Sequence, residues 1–156
     1  MNWIRFFGNF AGRIPRKTFW LANIATFVIE VILAAVAGAI VAQFVGDAAG
    51  DLAADVIIFV FLYPSFVIAL KRAHDRDIPG WIIGVYYAVL AVYQLLIFAG
   101  WSNINPDPSV FSLRPLLFII LMAFVGIISL AVLVELGFRP GAPGPNRYGP
   151  DPLEKT

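Results

Sequence analysis

Lys71-Arg72-Ala73-His74-Asp75-Arg76-Asp77 places six titratable side chains in seven positions and includes the chain's one histidine. On a helix Arg72 and Arg76, four apart, share a face, and two guanidinium groups on one face suit a common anion. A lipid or other phosphate would accept bidentate bonds from them, and so would Asp151 or Glu154 further along the chain. Arg72 and Asp75, three apart, attract one another. The plain alternative is that these cations are anchors that snorkel toward water at the edge of a bilayer. His74 stands beside Asp75 and near Asp77, which raises metal binding and proton transfer. Consecutive helical positions point about 100° apart, so these neighbours do not converge on an ion, and no metal site is expected. The unperturbed pKa of histidine suits proton transfer, but no nucleophile elbow, Gly-rich phosphate loop or HExxH motif accompanies His74. No catalytic residue and no cofactor are assigned, and a non-enzymatic role is favoured over an enzymatic one.

Two further polar segments resemble this one in composition. Arg13, Arg16 and Lys17 precede the first long apolar run, and Asn146-Arg147-Tyr148-Gly149-Pro150-Asp151 closes the chain with turn-forming residues that predict a fold back toward the charged loop. Arg13, Arg16, Arg72, His74, Asp75, Arg76, Asn146, Arg147 and Asp151 are the candidate binding residues of one shared layer. Glu30 is different in kind. It lies about 16 Å into an apolar run, where an ionised carboxylate costs several kcal/mol, so it should face another helix, neutral or hydrogen-bonded to Tyr, Ser or Gln. Proton or cation coupling is its functional alternative.

What positions these residues is a membrane. The 156 residues are 60% hydrophobic and only 13% charged, with a mean hydropathy of +0.84, too apolar for a water-facing surface. There is no cysteine, which removes disulfides, thiolate metal sites and thiol catalysis. Four apolar runs, 19–45, 52–70, 81–99 and 115–137, are each long enough to cross about 30 Å of hydrocarbon. The first is far longer than a secretory h-region and carries Glu30, so Ala35-Val36-Ala37 is not read as a cleavage site. Gly46 to Asp51 predicts an acidic turn, and Pro64 a kink in the second span. Pro106 and Pro108 predict a broken loop between the third and fourth spans. The segment 1–17 predicts a short amphipathic helix with Trp3, Phe6, Phe7 and Phe10 on one face, ended by Gly12 and Pro15. Ala22, Thr26, Glu30, Ala34, Gly38, Ala42 and Gly46 form a stripe at spacing four, and its small residues predict close helix contact. Of the 11 lysines and arginines, all but Arg114 fall in the amino-terminal segment, the middle loop and the tail, which puts both termini in the cytoplasm. The expected architecture is an all-α integral membrane four-helix bundle, one domain over 1–156, with an irregular tail over 138–156.

Three segments carry a family resemblance. Phe10-Ala11-Gly12-Arg13-Ile14-Pro15-Arg16-Lys17-Thr18-Phe19-Trp20, Arg72-Ala73-His74-Asp75 with Gly80-Trp81, and Asn146-Arg147-Tyr148-Gly149-Pro150-Asp151-Pro152 resemble, in that order, the family catalogued as domain of unknown function 805. The family pattern favours Leu at position 73, Gly at 77, Ser at 79 and a second Trp at 82. The resemblance implies a small protein of the bacterial inner (plasma) membrane, and it brings no activity with it. The favoured function is binding of an anionic lipid headgroup, small ligand or protein partner by the cytoplasmic layer. A small oligomeric transporter or channel component using Glu30 is the alternative, and a membrane enzyme acting on phosphorylated headgroups ranks last. Membrane lipids and a possible homo-oligomer are the expected partners, and nucleic acid is not.

Overall fold

The computed structural model describes residues 3–101 and 113–154. Five helices account for most of them: α1 (Trp3–Gly8), α2 (Arg16–Val45), α3 (Asp47–Asp75), α4 (Gly80–Phe98) and α5 (Leu113–Gly137). The loop with Pro106 and Pro108 and the side chains of Trp3 and Arg5 lie outside the described residues. The long helices α2 to α5 are each long and apolar enough to cross a membrane. Large apolar side chains such as Phe27, Ile127 and Leu130 face outward along them. That arrangement suits a solvent of lipid tails, in which the helical backbone satisfies its own hydrogen bonds.

Helix α2 begins directly after Pro15, whose ring pre-sets an extended cap, so the expected break at Pro15 is present. The short helix α1 stops earlier than foreseen, at Gly8. Its last carbonyls, which no intrahelical donor reaches, are taken by α3: Lys71 Nζ donates to the oxygen of Phe6 at 2.6 Å and the Tyr63 hydroxyl to that of Phe7 at 2.8 Å. The foreseen acidic turn from Gly46 to Asp51 shrinks to one residue. Gly46, at φ 115°, lets the chain reverse, its carbonyl accepts from the N–H groups of Ala49 and Gly50, and Asp47 already lies in the first turn of α3. A carboxylate there is favoured by the positive end of the helix dipole. Helix α3 continues through Pro64.

The small residues of α2 let α3 approach closely. A methyl group on Gly50 would lie 2.7 Å from both Ala42 Cβ and the carbonyl oxygen of Gly38, and one on Gly38 would lie 3.2 Å from the oxygen of Gly50. Helix α4 returns beside α3 through Phe66 against Tyr87 and Phe59 against Phe98. Helix α5 joins α4 through the stacked rings of Tyr93 and Phe118 and through the Tyr86 hydroxyl, which donates to Ser129 Oγ. The best-buried apolar cluster, including Ile14, Phe19, Ile68, Leu70, Ala73, Ile83 and Leu136, lies where the start of α2, the end of α3, the start of α4 and the end of α5 meet.

Gly50→Val should therefore part α2 from α3 and lower stability by about 1–3 kcal/mol. Gly84→Ala, where an added methyl meets nothing within 4 Å, should hold or raise it by about 0.5–1 kcal/mol. Thermal unfolding of the full chain in detergent micelles reads both.

Candidate functional site

The site is built around the end of α3. After Asp75 the helix closes in a Schellman arrangement: Ile78 N–H donates to the carbonyl of Ala73 at 2.9 Å and Asp77 N–H to that of His74 at 3.1 Å. Asp77 takes the left-handed position at φ 57°, a conformation that glycine adopts most readily. Ending the helix here places Arg72, His74 and Asp75 in its last turn, all buried.

Asp75, 2% exposed, is the shared anion. It accepts from Arg13 Nε at 3.1 Å and from Arg72 Nη1. Arg72 is 1% exposed, and its remaining donors go to backbone oxygens: Nε to Leu136 at 2.8 Å, Nη2 to Arg139 at 2.6 Å, and Nη1 in a longer contact to Ile14. Arg13 is spent in the same manner, with Nη1 on Gly144 at 2.7 Å and Gly149 at 3.3 Å and Nη2 on Ala142 at 2.6 Å. The Asp75 backbone carbonyl also accepts from Ala142 N–H at 2.7 Å. A methyl group on Gly141 would overlap the Asp75 carboxylate, so the tail passes close enough to require glycine.

The tail folds back, as its composition suggests, through a tight turn. Asn146 and Gly149 exchange backbone hydrogen bonds at 3.0 Å, Gly149 holds φ 132°, and Asn146 Oδ1 accepts from Tyr148 N–H. Asn146 Nδ2 donates to the carbonyl of His74 at 2.9 Å, and the Tyr148 ring stacks on His74, centroids 3.8 Å apart and planes 8° apart. His74 Nδ1 faces the Gly12 carbonyl at 3.2 Å. A carbonyl only accepts, so Nδ1 carries the proton and Nε2 is left as acceptor in the neutral ring. The histidine is thus clamped between the leading segment and the tail.

Other candidates fall elsewhere. Arg76 turns away from Arg72: its Nη2 pairs with Glu135 at 2.6 Å and its Nη1 donates to Pro140, so the two do not share an anion. Glu135 also pairs with Arg139 at 2.8 Å. Glu135 is absent from the candidate set, although its spacing of four before Arg139 at a helix end is a favourable ion-pair pattern. Arg147 pairs with Asp77 at 3.0 Å on the exposed side and lies over Tyr148. Asp151 does not join the arginines. It caps its own turn, accepting from Leu153 and Gly144 N–H, and those bonds, with Arg13 nearby, hold its carboxyl below the usual range. Arg16 makes one bond, Nη1 to the Phe138 carbonyl at 3.1 Å, and is otherwise exposed. Among the described residues no three His, Asp or Glu side chains converge as metal ligands.

Glu30 lies on the stripe of α2 between Thr26 and Ala34. Thr26 and Ala34, its neighbours one turn either side, are buried, but Glu30 is half-buried and no described residue hydrogen-bonds to it. The Tyr86 hydroxyl donates to Ser129 Oγ, and Ser129 donates to the Val125 carbonyl. Gln94 is buried with its amide nitrogen unpartnered.

Four apolar helices knit at one end by buried ion pairs define a multi-pass, all-α membrane protein. The chain belongs to the family described as Protein of unknown function (DUF805), whose model matches residues 7–150 and so takes in the leading segment, the charged turn and the tail together. No curated protein and no solved structure matches it.

Asp75→Asn leaves two buried guanidinium groups without a carboxylate, and loss of one partner of a buried pair costs about 3–5 kcal/mol. Limited trypsin digestion of the full chain should then cut after Arg147, in the tail, far faster than in the parent, whereas Asp151→Asn should change the rate little. Glu30→Gln should leave the detergent melting curve within about 1 kcal/mol of the parent, since no ion pair is lost; a larger drop would show a paired carboxylate.

Proposed function

We propose that this protein works without catalysis in the bacterial inner membrane, with both termini cytoplasmic, and that its charged layer binds anionic lipid headgroups through its rim and not its centre. The observation that supports this is the division of labour among the arginines. Arg13 and Arg72 spend their donors on Asp75 and on backbone oxygens, so neither is left to take a ligand. Arg16 and Arg139 stand together at the outer edge, because Arg16 bonds the carbonyl of the residue before Arg139, and Arg139 is 61% exposed. Lys17 is exposed next to them. Phe138, 60% exposed, packs edge-on against Trp20, and this aromatic pair beside three cations is what a headgroup layer favours. The transporter alternative rests on Glu30 alone, and an acidic protein segment would meet the same rim as a headgroup.

The test is native mass spectrometry of the full chain released from membranes of mixed phosphatidylglycerol and phosphatidylcholine. Each juxtamembrane cation is worth about 1 kcal/mol at an anionic surface. Arg16→Glu with Arg139→Glu should therefore cut the excess of retained phosphatidylglycerol over phosphatidylcholine by about tenfold or more. An unchanged excess would refute the rim as a headgroup site, and Arg72→Glu should report as loss of folding instead.

A further inference from the structure

A cavity of about 450 Å³ lies beside α1, walled by Phe7, by Ala25, Thr26 and Ile29 of α2, and by Phe61 and Pro64 of α3. Its volume falls in the range of sites that hold small molecules. Thr26 supplies the one hydroxyl among those side chains. The stretch Ala22 to Ile29 begins about 9 Å along α2 and ends about 20 Å along it, so the cavity sits at hydrocarbon depth. Ala25 and Ile29 are exposed, which means that it opens sideways, toward lipid.

At the headgroup end of this groove an electrostatic account is left open. Arg13, Arg72, Arg76, Arg139 and Arg147 each face a carboxylate. Lys71 does not, although it is 6% exposed: its ammonium has the Phe6 carbonyl at 2.6 Å and the Phe6 ring face at 4.2 Å, and no carboxylate among the described residues lies within ion-pair distance. Lys71 is seven residues, two turns, beyond Pro64 on the same face of α3. Phe6, which it holds, adjoins the groove-lining Phe7. A buried ammonium with donors to spare calls for an anion, and a bilayer offers one covalently tied to an acyl chain.

We infer that the groove between α1, α2 and α3 is a specific phospholipid site, with one acyl chain lying against Ala25, Ile29, Phe61 and Pro64 and the phosphate turned toward Lys71. The site does not depend on the Arg16 and Arg139 rim. It recognises a phosphate common to all phospholipids and an alkyl chain, where the rim recognises net negative charge. A purely zwitterionic lipid separates the two.

The full chain is reconstituted into nanodiscs of phosphatidylcholine alone, transferred to detergent and weighed by native mass spectrometry. The expected result is about one phosphatidylcholine retained per chain. Ala25→Phe and Ile29→Trp, at exposed positions where a larger ring fills the groove without entering the core, should each reduce that occupancy at least fivefold with the melting transition preserved. Lys71→Met should weaken retention as well. Arg16→Glu with Arg139→Glu should leave it untouched, so failure of the rim would not mimic failure of the groove. Absence of retained phosphatidylcholine from the parent, equal retention by both groove variants, or a retained mass matching a free fatty acid would each overturn the proposal.

Discussion

One carboxylate, Asp75, answers two buried guanidinium groups, and the rest of the charged layer is arranged around that shortage. Asp75 with Arg13 and Arg72 leaves one positive charge in excess in a region from which water is largely removed, where an uncompensated ion costs several kcal/mol. Carbonyl oxygens supply the balance. Leu136 offers one from the last turn of α5, the negative end of a helix dipole, and Arg139, Ala142, Gly144 and Gly149 offer theirs from the tail. The tail is therefore a ligand of the arginines. Its glycines and prolines keep carbonyls out of regular structure and aimed inward, and Gly141 lets the backbone run against Asp75.

This inverts the usual plan of a folded domain. Along the spans, large apolar side chains face outward and contacts between helices depend on small residues such as Gly38 and Gly50. Without a hydrophobic force between helices in lipid, close backbone approach and directional polar contacts must do the joining. The polar contacts are concentrated at one end, next to the one well-buried apolar cluster. That end ties α2, α3 and α5 to the leading segment and the tail, whereas towards the other end α4 and α5 are held by single pairs such as Tyr93 with Phe118.

Much of this was legible in the residues. Apolar length predicts four spans because the bilayer sets a fixed thickness, and lysine and arginine placement predicts that the leading segment, the middle turn and the tail share a side. Arg72 with Asp75 follows from helical spacing. What was not legible has a common cause. Arg13 and Arg72 bind mostly backbone oxygens, and an oxygen that every residue carries leaves no mark in a sequence. Hence Asp151 looked like a partner for the arginines when it caps its own turn, and Arg76 looked like a companion of Arg72 when Glu135 takes it. The reversal at Gly46 was overestimated because acidic residues after a glycine suit a turn and a helix start equally well. Glu30 was expected to be neutral or hydrogen-bonded to Tyr, Ser or Gln, and no described residue hydrogen-bonds to it.

The distinction between Arg72 and Arg16 shows how saturation separates structural from available charge. Both are arginines at the end of a span, and residue type alone assigns them the same role. A guanidinium has five N–H donors in a fixed fork. In Arg72 all three nitrogens are engaged by protein oxygens, so a phosphate could enter only by displacing Asp75 or the helix ends that it joins. In Arg16 one nitrogen is engaged and the side chain faces outward. Lys71 extends the same logic to the interior: it is buried much as its neighbours are yet faces no carboxylate among the described residues, and it lies two turns beyond Pro64, which lines the apolar groove beside α1. Counting donors against acceptors therefore identifies where a ligand would add a bond and where it would have to break one.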